Sequence, residues 1–191
     1  MSYYLLKVLL VGDGGVGKSS IVQRFVKKRF VTDYKFTVGV DVLQKEIPFK
    51  DGVATLSLWD IAGQEHYNFM RNNFYYGTDG ILLVFDLTRP PTFENCRKWL
   101  DEIHKALGDK VPFILVGNKE DLIEDTGVVI DTEKPRLFAE QENATYEITS
   151  AKTGLNVEDV FSKLTEKIID SRTYSVDMFT KLWEKNLDKK K

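Results

Sequence analysis

The chain has 191 residues and a formal net charge of −2, from 27 basic and 29 acidic side chains, so no broad basic face for nucleic acid is expected. With 42% apolar residues it can build one buried core in one domain, and its single cysteine, Cys96, excludes an intramolecular disulfide and a cysteine-held zinc. No apolar run approaches the roughly 20 residues that cross a bilayer, and the N-terminus lacks the pattern of a secretory signal, so a cytoplasmic, reducing location is expected.

Tyr3–Val11 is an apolar, strand-like run, and Gly12-Asp13-Gly14-Gly15-Val16-Gly17-Lys18-Ser19 follows it directly, ahead of a helical candidate over Lys18–Lys28. A glycine-rich turn between a strand and a helix lets successive backbone N–H groups converge on one centre. With the positive helix end behind them they cradle a polyphosphate. Lys18 is placed to reach the β- and γ-phosphates and the Ser19 hydroxyl to ligate Mg²⁺. The expected contacts here are Gly14, Gly15, Val16, Gly17, Lys18, Ser19 and Ser20. Arg24, Lys27, Lys28 and Arg29 form a basic cluster that reads as a solvated helix end.

Val40–Phe49 and Val53–Asp60, joined by Lys50-Asp51-Gly52, read as an antiparallel hairpin. The second run ends in Asp60-Ile61-Ala62-Gly63-Gln64, about forty residues after the phosphate loop. An aspartate at a carboxyl strand end can hold Mg²⁺, Gly63 can bring a backbone N–H to a γ-phosphate, and Gln64 can orient an attacking water. Helical candidates then follow at His66–Tyr76 and at Thr92–Leu107, with the strand Gly80–Asp86 between them. Thr92 reads as the cap of a helix whose stripe is Phe93, Cys96, Leu100, Ile103 and Leu107.

The strand Val111–Gly117 leads into Gly117-Asn118-Lys119-Glu120-Asp121. A carboxylate accepts two hydrogen bonds from the N1–H and exocyclic amine of guanine, which adenine cannot offer, so Asp121 selects guanine. Asn118 is placed to bond the base and tie loops together, and the Lys119 stem to lie over the base. A helix over Thr132–Gln141, capped by Asp131 or Thr132, precedes the strand Thr145–Thr149. Thr149-Ser150-Ala151-Lys152 then offers the Ala151 N–H to the guanine carbonyl, and a last helix runs over Val157–Asp170. Strands alternating with helices signal an α/β fold, a mostly parallel sheet covered on both faces with one antiparallel strand.

In order, G-D-G-G-V-G-K-S, a threonine in the following loop, W-D-I-A-G-Q-E, N-K-E-D and T-S-A-K resemble the small GTPases of the Ras superfamily, over residues 4 to about 170. Gly39-Val40-Asp41, Trp59-Asp60, Gly63-Gln64-Glu65, Tyr75-Tyr76-Gly77 and Asp79-Gly80 resemble its Rab branch most. The resemblance implies a P-loop NTPase G domain with a six-stranded sheet, spanning residues 1–171, that hydrolyses GTP to GDP and phosphate with Mg²⁺. It implies a first switch over Arg29–Gly39, with Phe30 packing on the guanine, Tyr34 closing over the phosphates and Thr37 ligating Mg²⁺ with Ser19 and Asp60. A second switch runs from Ile61 to about Asn72, with Gln64 as the catalytic residue and Gly63, Asn118, Lys119, Asp121, Ser150, Ala151 and Lys152 completing the nucleotide set. Exchange proteins, activating proteins and effectors are the expected partners, through the switches, in Rab- or Ras-like signalling or trafficking. A monomer is expected.

Two departures stand out. Val42 occupies a position where Rab proteins usually carry a phenylalanine that packs with Trp59 and an aromatic near Phe74. No terminal cysteine is present to prenylate, and Ser2 replaces the glycine that N-myristoylation needs, so no lipid anchor is expected. Residues 172–191 form an amphipathic helical extension with a stripe of Val176, Phe179, Leu182, Trp183 and Leu187. Five lysines against three acids between Tyr174 and Lys191 support weak peripheral membrane association at most, and folding back on the domain or packing in a partner is the competing expectation. A GTP-loaded scaffold without turnover and a kinase on the same loop are the other functional readings. Gln64, Thr37 and Gly14 argue against the first; the lack of an arginine-rich lid argues against the second.

Overall fold

A computed structural model describes residues 3–30, 37–50, 52–64, 68–126, 130–131 and 133–188. Within these, β1 (Tyr3–Val11), β2 (Val40–Phe49), β3 (Gly52–Ile61), β4 (Gly80–Asp86), β5 (Phe113–Asn118) and β6 (Thr145–Ile148) form one sheet in the order β2-β3-β1-β4-β5-β6. Only the β2·β3 pair is antiparallel, with Val40 opposite Ile61 and Phe49 opposite Gly52. The other pairs are parallel, as crossover connections through helices require. Of the hairpin turn, Lys50 lies at φ 49°, while Asp51 falls outside the described residues.

Successive side chains of a strand point to opposite faces, and β1 divides its apolar residues accordingly. Leu6, Val8 and Leu10 join one core, under α1 (Lys18–Lys27) and the first part of α7 (Val157–Asp188). Leu9 and Val11 join the other, with Tyr75 of α2 (Asn68–Tyr75), Cys96, Trp99, Leu100 and Ile103 of α4 (Cys96–Leu107), and Ala139 of α6 (Glu133–Gln141). β4 and β5 are buried along their whole length, which explains their uninterrupted apolar sequences. Across the first core Phe25 and Phe161 stack at 3.8 Å between ring centroids, locking α1 to α7. The glycine loops and strand ends that follow β1, β3, β5 and β6 thereby share one rim of the sheet.

The structure corrects several boundaries. The segment expected as one helix over Thr92–Leu107 is two, α3 (Pro90–Glu94) and α4, because Pro90 and Pro91 start a turn ahead of Thr92. Thr92 is therefore inside α3 instead of capping it, with its buried hydroxyl accepting from Asp86 N at 2.9 Å and donating to Arg89 O at 2.7 Å. β5 begins at Phe113 and not at Val111, since Pro112 has no N–H to give the ladder. Asp131 Oδ1 accepts from Glu133 N at 3.1 Å at the start of α6, while Thr132 lies outside the described residues. The last helix does not stop at Asp170. No glycine or proline occurs between Val157 and Asp188, and α7 continues unbroken through position 171 to its end. Among the described residues no helix is long and apolar enough to cross a membrane.

Candidate functional site

The turn between β1 and α1 is shaped by three glycines at positive φ: Gly12 at 134°, Gly15 at 75° and Gly17 at 101°. Two are also irreplaceable on space. A Cβ on Gly12 would lie 2.0 Å from Val84 O, and one on Gly17 would lie 2.2 Å from the Asn118 side-chain nitrogen. Lys18 curls back under the turn, its Nζ donating to Gly12 O at 2.6 Å and Asp13 O at 2.8 Å. Burial there lowers its pKa to about 8, against the charges of Asp60 and Asp13, which raise it.

Facing Lys18, a cleft is lined by Gly14, Gly15, Gly17, Lys18, Ser19, Thr37, Gly63 and Gln64. Asp60 Oδ2 accepts from Ser19 Oγ and, at 3.2 Å, from Thr37 Oγ1, and the two hydroxyls lie 2.9 Å apart. Asp60 Oδ1 is buried with no hydrogen-bond partner among the described residues. Burial raises the Asp60 pKa, and the hydrogen bond from Ser19 and the Lys18 charge oppose that rise. Gly63 approaches the loop closely: a Cβ there would sit 2.4 Å from Gly12 O. Gln64 lies beside Gly14, whose added Cβ would meet Gln64 Cγ at an ordinary 3.6 Å, so a single methyl fits and larger groups displace Gln64.

A second cavity, of about 410 Å³, opens beside the first. Its walls include Gly15, Gly17, Ser20, Phe30, Asn118, Lys119, Asp121, Leu122, Ala151 and Lys152. Asn118 is buried at the end of β5, donating from Nδ2 to Val16 O at 2.9 Å and accepting at Oδ1 from Thr149 Oγ1 and Ala151 N, both at 3.1 Å. The Ala151 N–H, expected to face a base carbonyl, is thus engaged by Asn118 in this structure. Asp121 Oδ1 accepts from Ser150 Oγ at 2.5 Å and its Oδ2 lies 3.6 Å from Lys152 Nζ, so both carboxylate oxygens are tied to the loop after β6. Tyr34 lies outside the described residues; every other expected site residue is placed on one of the two cavities or, as Val16, Asp60 and Ser150 are, on the hydrogen bonds that bind their walls.

Three side chains outside the expected site residues, Arg24, Arg71 and Asp86, support it. Arg24, expected as part of a solvated helix end, donates from Nε to Ala151 O at 2.8 Å and also reaches Lys152 O. Arg71 is buried, stacks on Trp99 at 4.2 Å and donates to Gln64 O at 2.8 Å, fixing the backbone of that glutamine. Asp86, buried at the end of β4, accepts from Lys119 Nζ at 2.7 Å and from Arg89 Nε at 2.8 Å. Burial alone would raise the Asp86 pKa, but the hydrogen bonds from Lys119 and Thr88 outweigh it and hold the carboxyl below the usual range. No local motif marks these residues, since Arg24 and Arg71 act through partners met only in the fold. An aspartate ending an apolar strand was the one available signal, at Asp86.

A sheet whose first strand runs into a glycine-rich phosphate loop, with a buried aspartate at the end of β3 and a base-sized cavity alongside, defines a nucleotide-binding G domain. A family model described as "Ras family" matches residues 7–170. Ras-related protein RABG3f of Arabidopsis thaliana is 40% identical over 172 residues, spanning 87% of this chain and 84% of its own length. Ras-related protein Rab11B of Nicotiana tabacum is 40% identical over 165 residues (86% and 75%), and Ras-related protein Rab7 of Pisum sativum 38% identical over 172 residues (87% and 84%). The chain belongs to the Ras family, with Rab proteins among its relatives, and is a small GTP-binding switch protein that hydrolyses GTP.

Proposed function

We propose that GTP lies across the two cavities, with its guanine in the larger and its phosphates on the Gly14–Ser20 loop. Asp121 accepts from the guanine N1–H and amine, the Lys119 stem and Phe30 flank the base, and Asn118 holds the loops at the spacing the base needs. Lys18 is charged when it meets the β- and γ-phosphates, because their negative charge offsets the desolvation that lowers its pKa. The observation that carries this reading is the joining of the two cavities by the Asn118 to Val16 hydrogen bond, which couples base and phosphate recognition.

Ser19, Thr37 and Asp60 fit Mg²⁺. They present hard oxygen ligands, and Asp60 Oδ1 is a buried oxygen without a partner among the described residues. When bound, Mg²⁺ would offset the negative charge on the phosphate oxygens. Gln64 orients the attacking water, and the Gly63 N–H meets the γ-phosphate. Thr37 and Gly63 hold the two switch segments toward that phosphate, so its loss releases them.

Exchange proteins, activating proteins and effectors read those segments, and trafficking is the setting that the Rab-named relatives support. Val42, 44% exposed and paired across the ladder with Trp59, lies next to the Trp59–Phe74 contact (6.3 Å), which gives this effector surface a smaller apolar group than phenylalanine. Residues 1–171 act as the switch and 172–191 as an appended helical segment that adds weak peripheral membrane or partner contact, on the cytoplasmic side.

Competition of GTP against ATP for the purified protein tests the base assignment. GTP is expected to displace a fluorescent guanine nucleotide at concentrations where ATP has no effect, and equal displacement by ATP overturns it.

A further inference from the structure

The guanidinium of Arg89 lies on the outer side of the phosphate loop, 75 positions away in sequence from the residue it touches. Its Nη2 donates to Gly14 O at 3.1 Å, and its Nε to Asp86 Oδ2 at 2.8 Å. The anchor is rigid: Asp86 is buried, its other oxygen accepts from Thr88 N and Thr88 Oγ1, and Arg89 O accepts from the buried Thr92 hydroxyl. A Cβ on Gly15 would come within 3.6 Å of Arg89 Nη2, so the cation also covers the next residue of the loop. Lys119 shares the same carboxylate, which leaves the cluster of Asp86, Arg89 and Lys119 with one net positive charge.

We propose that Arg89 is a positioning residue for the polyphosphate, acting through the Gly14–Gly15 peptide. That peptide group has its carbonyl on the arginine, and Gly14 and Gly15 both line the cleft shared with Lys18, Ser19 and Gln64. A cation on the carbonyl oxygen polarises the amide and strengthens its N–H at the other end as a donor, while fixing the plane of the peptide. The N–H of Gly15 is the loop donor thereby aimed and strengthened. Asp86 does the same for Lys119 at the base, so one buried carboxylate orients a group for each end of the nucleotide. The inference rests on the nucleotide reading above and assigns to it a residue outside the loop motifs.

The test is the release of a fluorescent GDP from the full chain in the presence of Mg²⁺, with the affinity for GMP measured by competition. Arg89→Ala is expected to release GDP about tenfold faster, the scale of one charge-assisted hydrogen bond, with GMP affinity unchanged because the cleft that Gly14 lines is the polyphosphate end. Arg89→Lys keeps a charge within reach of Gly14 O without the fork to Asp86, and is expected to return release to within about threefold of native. Should the alanine variant fail to fold, Arg89→Gln serves in its place and is expected to release GDP faster than Arg89→Lys. Release within twofold of native in the alanine or glutamine variant, or loss of GMP and GDP affinity by the same factor, overturns the proposal. A native protein that retains no guanine nucleotide would instead overturn the nucleotide reading itself.

Discussion

The side-chain amide of Asn118 donates to the backbone carbonyl of Val16 at 2.9 Å, joining the end of β5 to the middle of the phosphate loop across 102 positions of sequence. Its oxygen accepts from Thr149 and Ala151, so one buried side chain spans three loops. Asn118→Ala strands the Val16 carbonyl together with the Thr149 and Ala151 donors. Unfolding in denaturant without nucleotide is expected to register a loss of about 2–3 kcal/mol, larger than a typical surface substitution. A loss below about 0.5 kcal/mol would mean that water replaces the tie at no cost.

The loop glycines should separate into two classes on stability. Gly17→Ala needs a Cβ 2.2 Å from Asn118 Nδ2 at φ 101°, and should unfold the loop or the protein. Gly14→Ala places its methyl in ordinary contact with Gln64 Cγ at 3.6 Å, and should fold with stability within about 1 kcal/mol of native. Thermal melts of the two variants side by side decide this, and equal destabilisation would contradict the loop geometry.

Asp121→Asn exchanges an acceptor for a side chain that can also donate. Guanine loses one of its two hydrogen bonds and meets an N–H, so GTP affinity is expected to fall at least about a hundredfold. Xanthine carries a carbonyl where guanine carries the amine, and xanthosine triphosphate should recover the loss. Competition binding with both nucleotides checks this; a variant that weakens for both equally would place the base elsewhere.

His104 provides the pH test of the fold. Burial, followed by the charge of Lys110, lowers its pKa below the usual value near 6.5, and its Nε2 is buried without a hydrogen-bond partner among the described residues. Glu142 and Asp101 pull the other way without prevailing. A histidine depressed in the folded state is neutral in both states above the unfolded pKa. Below it the unfolded chain takes up the proton first, so stability falls as pH drops from about 6.5 toward the folded value. Denaturation midpoints across pH 7.5 to 5 should show this decline, and His104→Gln should flatten it.

Residues 172–191 should be dispensable for the switch. Among the residues of α7 whose side chains are described, Ile169 is the last to join the core, and Arg172 beyond it forms an ion pair with Asp79. A chain ending at Ser171 is expected to keep GTP affinity within about twofold and stability within about 1 kcal/mol, since exposed ion pairs contribute little. Binding to vesicles containing anionic lipid, compared between the full and shortened chains, separates a membrane role for the segment from a partner role.

The phosphate loop, Asp60, Asn118 and Asp121 were legible in sequence because each sits where a strand ends and its motif fixes a local geometry. The α/β class and the mostly parallel sheet followed from apolar runs alternating with helical periods, whereas the order of the strands is set by packing that periodicity does not encode. Arg24 and Arg71 were not legible, since Ala151 and Trp99 come beside them only in the fold; Asp86 and Arg89 pair locally, three residues apart, but nothing near them in sequence shows that Lys119 and Gly14 meet that pair. The break at Asn95 was missed for a different reason: the apolar stripe continues from Phe93 through Leu107, and periodicity alone gives no sign that Pro90 and Pro91 begin a separate turn.

Single-turnover hydrolysis by protein preloaded with GTP, compared with Gln64→Leu, tests the switch most directly. Native protein is expected to convert bound GTP to GDP and phosphate in the presence of Mg²⁺, and the Gln64→Leu variant to retain GTP over the same period. Phosphate release no faster in the native protein than in the variant would contradict Gln64 as the residue that orients the attacking water.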